Sequence, residues 1–343
     1  MIIEPGFVDY MQAAADFFGP GALEVPWYQN EILDIVRRRG ILGQRIKSTP
    51  ATGQPSRYFE QSRIIEGEYQ NPRNLAHNPT GDPTRRERGL MIKAIVGSVN
   101  FTMFDVEITR QQGNNQFAGL VAKDLNDAIS GTMRRHDVGL WRGGDTSLLI
   151  PTSLEYVGGL TQINRTASVA SSASIIDALT SEVASMTANE SFEVRPTAIY
   201  VNPVVADLIN QEERANQRQI PTTSVNTVNG ALQVLGLATV LGILPIISDW
   251  AIPNGPSLGS IVESGKTDYY AVILSEELVE YHYVTSDIPR VFALGLNGDL
   301  ATRYMVVMFG SPVFKGKANA SQLQGTTETN QVTYAHSLVT IVR

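Results

Sequence analysis

The sequence predicts an α+β fold, and three patterns along the chain lead to that prediction. A strand-rich and arginine-rich stretch, 53–113, has no helical periodicity. It is followed at once by the most regular amphipathic helix of the chain, 114–137. Beyond it, 174–214 has the pattern of a helix, a strand, a turn and a helix, and much of the rest carries strand patterns. This order predicts a compact lobe of helices and strands beside an extended, strand-built region.

Size and composition are those of an ordinary globular protein. The chain has 343 residues, of which 43% are hydrophobic, enough for one large core or two smaller ones. Its 27 basic and 34 acidic residues give a net charge of -7, so the overall field would not attract a phosphate backbone. The lack of cysteine excludes disulfides, thiolate nucleophiles and cysteine-ligated zinc, and it fits a protein made in a reducing cytosol.

The first 52 residues predict an irregular N-terminal arm. Proline and glycine interrupt it repeatedly, and one short helix is expected at 29–39. The basic run at 37–39, followed by Gly40, suits the C-terminal end of that helix. The first residues have neither a basic start nor a sustained apolar run, so no secretion signal is predicted. The most apolar stretch, 234–247, is too short to cross a bilayer, so no membrane segment is predicted either.

The stretch 53–113 predicts an extended two-stranded loop. Two strand-like runs at 58–69 and 90–108 flank a turn-rich tip at 71–89. Because an isolated hairpin of that length is only marginally stable in water, we expect it to rest on a partner surface. Its arginines alternate with glutamates, which leaves two interpretations open: a solvated surface, or charge-assisted contacts with an adjacent subunit. The second makes these residues candidate interface residues: Arg57, Arg63, Glu66, Arg73, Arg85, Arg86 and Arg88.

The helix predicted at 114–137 is the strongest in the sequence. Apolar residues recur along it at steps of three and four, which is typical of a helix with one buried face. Arg134, Arg135 and His136 fall in its expected last turn, where the helix dipole favours positive charge. The helix could act as a spine of the molecule, and Arg134 and Arg135 are added to the candidate interface residues.

The remaining elements are expected to form an α/β lobe and a set of strands. A glycine-punctuated connector follows the spine helix and leads to a helix at 174–187. The further predicted elements are a buried strand at 197–201, a helix at 204–214, strands at 243–247, 269–274, 279–284, 303–308 and 336–342, and a polar segment at 316–331.

Motifs of known chemistry are weak in this chain. The segment GSIVESGKT, 259–267, resembles a phosphate-binding loop, but it has one residue too many between its outer glycines and leads into a strand pattern instead of a helix. The histidines are scattered without metal-ligand spacing, and no nucleophile-elbow serine motif occurs. The sequence therefore predicts no catalytic residue, no cofactor and no metal site.

The order of elements resembles the major capsid protein of tailed bacteriophages, the Hong Kong 97 type capsid fold. The resemblance lies in the segments SIIDALTSEVASM, PTAIYVNPVVADLI, LGILPIISDWAIP and RYMVVMFGSPVFKG, and it covers roughly 29–317. It implies an N-terminal arm at 1–52 and an extended loop at 53–113. It further implies a peripheral domain at 114–172 and 300–343, which holds the spine helix, and an axial domain at 173–299.

The resemblance also implies a function. Many copies would form hexamers and pentamers of an icosahedral shell that encloses double-stranded DNA without sequence specificity. The shell would be part of a virion assembled in the host cytoplasm, with separate scaffolding, portal and decoration or cement proteins as partners and no enzymatic activity. One branch of the family cross-links a lysine of the extended loop to a neighbour. We expect no such cross-link here, because the only lysine in 53–113 is Lys93, away from the tip.

Two other interpretations stay open. An encapsulin-like compartment would have the same shape and would package enzymes instead of DNA. An α/β enzyme would instead bind a phosphorylated ligand at the connector 141–145 or at the turn 265–267.

Overall fold

A computed structural model describes residues 40–63, 84–102, 116–188, 193–215, 222–227, 230–255, 266–296, 301–319 and 331–343. All of these belong to one unit, Arg38–Arg343. The helix predicted at 29–39, most of the loop tip, the start of the spine helix, most of the 259–267 segment and much of the polar segment 316–331 lie outside the described residues.

The described residues form five α-helices, one 3-10 helix (Glu276–Leu278) and sixteen strands. The helices are α1 (Leu42–Arg45), α2 (Gln116–Arg142), α3 (Gly159–Gln162), α4 (Ile175–Thr187) and α5 (Pro203–Ala215). The strands of the first half are β1 (Lys47–Pro50), β2 (Ser56–Arg63), β3 (Thr84–Leu90), β4 (Lys93–Thr102), β5 (Thr166–Val169) and β6 (Ala198–Val201). Those of the second half are β7 (Thr222–Thr227), β8 (Gly230–Thr239), β9 (Gly242–Ser248), β10 (Asp268–Leu274), β11 (Val279–Tyr283), β12 (Arg290–Leu296), β13 (Ala301–Phe314), β14 (Lys317–Asn319), β15 (Gln331–Thr333) and β16 (Ser337–Val342).

A seven-stranded sheet with the order β5-β16-β10-β6-β9-β8-β7 forms the larger core. Its central strand β6 is buried along its whole length. Ile199 and Val201 pack against helices α4 and α5 on one face, and Tyr200 packs against Trp141 on the other. Burial on both faces explains why this strand is a continuous apolar run without alternation.

Helices α4 and α5 begin where the sequence provides the usual capping groups. The Ser174 hydroxyl accepts a hydrogen bond from the Asp177 N–H at 3.1 Å. In α5, Pro203 is the first helical residue and the Asn202 side chain accepts from the Val204 N–H at 3.0 Å. Both predicted helices and the strand between them are therefore confirmed.

A five-stranded sheet has the order β1-β11-β13-β12, with β4 on the other edge of β13. Helix α2 packs across β4 and β13, close to Gly97, where a Cβ atom would lie 3.0 Å from the Thr132 hydroxyl. The helix continues to Arg142, five residues beyond its predicted end. His136 is thus a buried residue inside the helix and not a cap. Gly139 lies inside the helix. The Tyr156 ring packs so close to it that an added Cβ atom would lie 2.9 Å from the ring.

Each of the two large sheets contains strands from both predicted domains, whose boundaries stay a prediction. Strands β5 and β16 lie in the seven-stranded sheet, although 114–172 and 300–343 were expected to form the peripheral domain. Strands β11 and β12 lie in the five-stranded sheet, although 173–299 was expected to be axial. Strand periodicity shows which residues are buried, but it does not show with which distant strand each strand pairs.

The extended loop contains a two-stranded ribbon, but its strands are not the predicted pair. Strand β2 pairs antiparallel with β3, from Ser56 opposite Leu90 to Arg63 opposite Thr84. The run predicted at 90–108 instead contains β4, which pairs with β13 over ten residues. The expectation that 58–69 pairs with 90–108 was wrong, because the long apolar strand β13 offers β4 a better buried partner. The arginines at 85, 86 and 88 therefore lie on a ribbon strand and not in the tip.

Candidate assembly surfaces

The base of the ribbon is buried against the five-stranded sheet. Alternate residues of β2 and β3 point toward the body of the protein, and we call this side the inner face. Tyr58 and Leu90 of this face form a small apolar cluster with Val313 of β13, to which Ile92 and Leu148 add. The base of the extended loop therefore shares its apolar core with β13.

An ion pair fastens the middle of the inner face. The Arg88 guanidinium donates to the Glu60 carboxylate, and its other nitrogen donates to the Lys317 carbonyl at 3.3 Å. Glu60 also accepts from the Gly316 N–H at 3.0 Å. Burial, together with the charge of Arg88, lowers the pKa of Lys317 to about 8, although Glu60 acts in the opposite direction. Arg88, predicted to contact a neighbour, is thus committed to its own chain.

A serine, a histidine and a glutamate connect the start of the ribbon to the sheet. The Ser56 hydroxyl lies 2.8 Å from Nδ1 of His282, and Nε2 of His282 lies 3.1 Å from the Glu280 carboxylate. A carboxylate can only accept, so Nε2 carries the proton and Nδ1 accepts from Ser56. Lys315 completes the row with an ion pair to Glu280 at 2.8 Å. Burial lowers the pKa of His282, against the opposing effect of Glu280.

The arrangement of these three residues resembles that of a hydrolase triad, but its surroundings do not suit catalysis. Ser56 is buried, so a substrate carbonyl has no access to its hydroxyl. These side chains instead join β2 to β11, and we interpret their hydrogen bonds as a structural fastening. Nothing in the sequence pattern indicated it, because Ser56 and His282 are 226 residues apart.

The outer face of the ribbon is exposed. Phe59 is 73% exposed, and Arg57 and Glu87 form an ion pair at 2.7 Å beside it. Arg85 lies on this face and is exposed, whereas Arg86 shares the inner-facing register with Arg88. Of the other candidate residues in the extended loop, Arg63 is described only in its backbone, and Glu66 and Arg73 lie outside the described residues.

The two spine arginines are separate from the ribbon arginines. Arg135 forms an ion pair with Glu155, and Arg134 lies 5.5 Å from the centre of the Trp250 ring. Arg135 lines a groove of about 260 Å³ that runs beside β4, and we call it the lateral groove. The groove is bounded by α2 on one side and by Leu154 and Glu155 on the other. Leu154 is 91% exposed.

A rigid loop supports that groove. The Asp145 carboxylate accepts from the backbone of Thr146, Ser147 and Thr152, and from Lys93 at 2.7 Å. Burial alone would raise the pKa of Asp145, but the hydrogen bonds, foremost that of Lys93, hold it well below its usual range. Lys93 is thus engaged inside its own chain.

At the opposite end of the five-stranded sheet lies an apolar surface that the sequence reasoning missed. We call it the distal edge, and it comprises Val284, Ile288, Val291, Phe292, Leu294 and Phe309, all exposed. The sequence carried a signal for it, since the four apolar residues from Val291 to Leu294 follow one another without alternation. Such a run is usually read as a buried strand, and only the structure shows that it lies at the surface.

The ends of the connector that the enzyme interpretation would use, Trp141 and Asp145, make contacts within the chain. Trp141 donates to the buried Asp249 carboxylate at 3.1 Å, and Asp145 is saturated as described above. Thr267 pairs with Arg343 through backbone hydrogen bonds and leads into strand β10, as its strand pattern predicts. In the described part of the chain, no cluster of histidine and acidic side chains could hold a metal ion. None of the described helices is long and apolar enough to cross a membrane.

Comparison with solved structures identifies the fold. The head of Helicobacter pylori bacteriophage KHP40 matches with a TM-score of 0.60 and 9% identity, over 94% of this chain and 95% of that chain. The capsid fold of tailed bacteriophages is the fold of this chain. A structure from Gordonia phage Cozz matches with a TM-score of 0.59 and 10% identity, over 99% and 98% of the two chains. No model of a known protein family matches the chain, and no curated protein is similar to it in sequence.

The capsid fold also occurs in a bacterial compartment. The SrpI encapsulin complex from Synechococcus elongatus matches with a TM-score of 0.54 and 13% identity, over 96% of this chain and 94% of that chain. The predicted Hong Kong 97 type fold is therefore confirmed. At these identities the likeness establishes the fold and does not distinguish a phage capsid from an encapsulin.

Proposed function

We propose that this chain is the structural major capsid protein of a tailed phage and that many copies form hexamers and pentamers of an icosahedral shell. One observation carries the proposal beyond the fold: the ribbon is fastened to its own body by its inner face, while its outer face exposes Phe59 between charged residues. A rigid ribbon with an exposed aromatic residue is suited to contact another subunit.

The candidate interface residues then divide into two groups. Arg57 and Arg85 on the outer face, with Arg63, Glu66 and Arg73 toward the tip, are proposed to contact a neighbouring subunit. Arg134 and Arg135 on the spine helix are proposed to do the same beside the lateral groove. Arg86 and Arg88 on the inner face support the ribbon in its own chain.

The proposed cargo is double-stranded DNA, held without sequence specificity in a virion assembled in the host cytoplasm. The net charge of -7 supports a wall that does not grip the genome tightly. Separate scaffolding, portal and decoration proteins are the proposed partners. The similar structures are shells and not enzymes, which supports a purely structural protein.

An encapsulin-like compartment is the second candidate, favoured by the match to the SrpI complex. The two candidates differ in cargo. Shells purified from the native source would contain nuclease-protected DNA in the first case and co-purifying protein without DNA in the second.

Assembly of the purified chain tests the shared part of the proposal. Negative-stain microscopy and mass photometry would show closed shells of very high mass for the intact chain. Replacing 71–81, the part of the predicted tip that precedes β3, by a short glycine-rich turn should leave the thermal unfolding transition in place and abolish the shells. If shells form unchanged without the tip, the role given to the extended loop is wrong.

A further inference from the structure

We infer that neighbouring copies join by edge-to-edge contact of their five-stranded sheets. The distal edge of one copy docks along the lateral groove beside β4 of the next, so that the sheet continues from copy to copy. This inference rests on the proposed shell function, and it names surfaces other than the ribbon.

The distal edge has the properties of an interface strand. Phe292 and Leu294 are 45% and 55% exposed, and Ile288 lies beside them with a still larger exposed fraction. Among the described strands, β12 pairs only with β13, so its outer backbone groups face away from the sheet. An apolar strand with a free edge aggregates unless another chain covers it.

The lateral groove is the complementary surface. Strand β4 forms the opposite edge of the same sheet and, among the described strands, also pairs only with β13. The groove beside it offers the apolar side chains of Val96 and Leu154 together with the charges of Arg135, Arg142 and Glu155. A concave surface with an apolar floor and charged walls suits an extended strand that carries apolar side chains.

The two edges match in level and direction. Arg290 of β12 pairs with Val307, and Val307 pairs with Val96 of β4. The start of β12 therefore lies at the same position along the strand direction as the groove. Both β12 and β4 run antiparallel to β13 and are therefore parallel to each other. Two copies placed side by side present β12 to β4 in the parallel direction, and repetition of such a head-to-tail contact closes a ring.

Charge complementarity supports a second copy as the occupant. The groove carries two arginines and one glutamate, and therefore a net positive charge. The distal edge carries the exposed Asp287 and Arg290 on either side of Ile288. Asp287 complements the groove arginines, and Arg290 complements Glu155. Within one chain Arg135 pairs with Glu155 and Arg142 donates to the Ala251 carbonyl at 2.9 Å, so Asp287 and Arg290 of a second copy would join an existing charged network.

Cysteine cross-linking tests this contact cleanly, because the chain has no cysteine of its own. The double variant Ile288→Cys with Leu154→Cys, oxidised under assembly conditions, should give a ladder of covalent dimers, trimers and larger species on a non-reducing gel. Each single variant should remain a monomer on the same gel. A matched control pair, Val240→Cys with Leu154→Cys, places one thiol on an exposed aliphatic turn elsewhere and should give no ladder.

The outcomes separate the two proposals. A dimer from the Ile288→Cys variant alone would mean that the distal edge pairs with itself, which overturns the inference. Closed shells without a ladder from the double variant would overturn the inference and leave the proposed shell function standing. Monomers without shells or a ladder would overturn both.

A charge placed on the edge strand gives an independent check. Leu294→Lys in the double-cysteine background should abolish the ladder, since the lysine would have to enter the contact. Leu241→Lys, at an exposed leucine of the β8–β9 turn, should leave the ladder intact. Equal ladders from both variants would contradict the placement of β12 in the contact.

Discussion

The two large sheets of this protein differ in how completely the chain covers them. The central strands of the seven-stranded sheet, β6 and β10, are buried on both faces, by helices α4 and α5 on one side and by Trp141 and its neighbours on the other. The five-stranded sheet has helix α2 on one face and the ribbon base on part of the other, while its distal edge is exposed. The first sheet therefore stabilises the single chain, and the second is suited to contacts between chains.

The largest expected effect is in the core of the seven-stranded sheet. Leu179→Ala removes a fully buried side chain of α4 and should lower the free energy of unfolding by about 2–5 kcal/mol. Leu294→Ala, at the distal edge, should change it by about 0.5 kcal/mol or less. Urea denaturation of the unassembled chain measures both. Similar losses from the two variants would remove the contrast between the sheets.

The next effect is a dependence of stability on pH. Burial lowers the pKa of His136 to about 4, from about 6.5 in the unfolded chain. Between pH 4 and pH 6.5 the unfolded chain binds more protons at His136 than the folded chain does. The contribution of His136 to the free energy of unfolding is therefore complete above about pH 6.5 and is lost as the pH falls toward 4. The slope from this group is up to about 1.4 kcal/mol per pH unit.

Urea midpoints measured from pH 7 to pH 4.5 would show this slope. His136→Phe should reduce it, whatever the effect of the variant on stability at pH 7, while the buried His282 and His336, whose pKa values are also lowered by burial, keep contributing. An unchanged slope would show that His136 is not the group that binds the proton on unfolding.

A smaller effect is expected from the fastening of the ribbon. Arg88→Met leaves the Glu60 carboxylate without its charged partner in a largely buried place and should cost about 1–3 kcal/mol. Arg57→Met removes an ion pair whose arginine side chain is 63% exposed and should cost about 0.5 kcal/mol or less. Hydrogen exchange of the amides of β2 and β3 would locate the loss. Faster exchange in the Arg57→Met variant alone would reverse the assignment of the two faces.

The smallest effect on folding is expected at Phe59. Its side chain projects from the outer face, so Phe59→Ala should change the free energy of unfolding by about 0.5 kcal/mol or less. The same variant should reduce the yield of shells, which light scattering during assembly measures. Normal assembly would show that the outer face does not form the proposed contact.

Several elements could be predicted from local sequence alone. The spine helix, the helix pair around the buried strand at 198–201 and most of the later strands appear where their periodicity placed them. Their residues repeat at the spacing of one buried face, and that spacing is a property of the local chain. The order of these elements was also sufficient to indicate the capsid fold.

The assembly surfaces could be predicted only in part. Arg57 and Arg85 lie on the outer face of the ribbon, and periodicity could not show that Arg88 turns inward to Glu60. The distal edge was missed because an unbroken apolar run has the same pattern in a buried strand and in an exposed edge strand. The fastening through Ser56 and His282 joins residues far apart in the chain, so local pattern contained no sign of it.

The sequence by itself determined the types and order of the elements, the lack of cysteine chemistry and the net charge, because each of these depends on residues near one another or on simple counts. The tertiary structure decided which strands pair, how far helix α2 continues and which arginines face the body. Those outcomes depend on the free energy of burying one strand against another across hundreds of residues. Periodicity marks the face that is buried, and only the folded chain selects the surface against which it is buried.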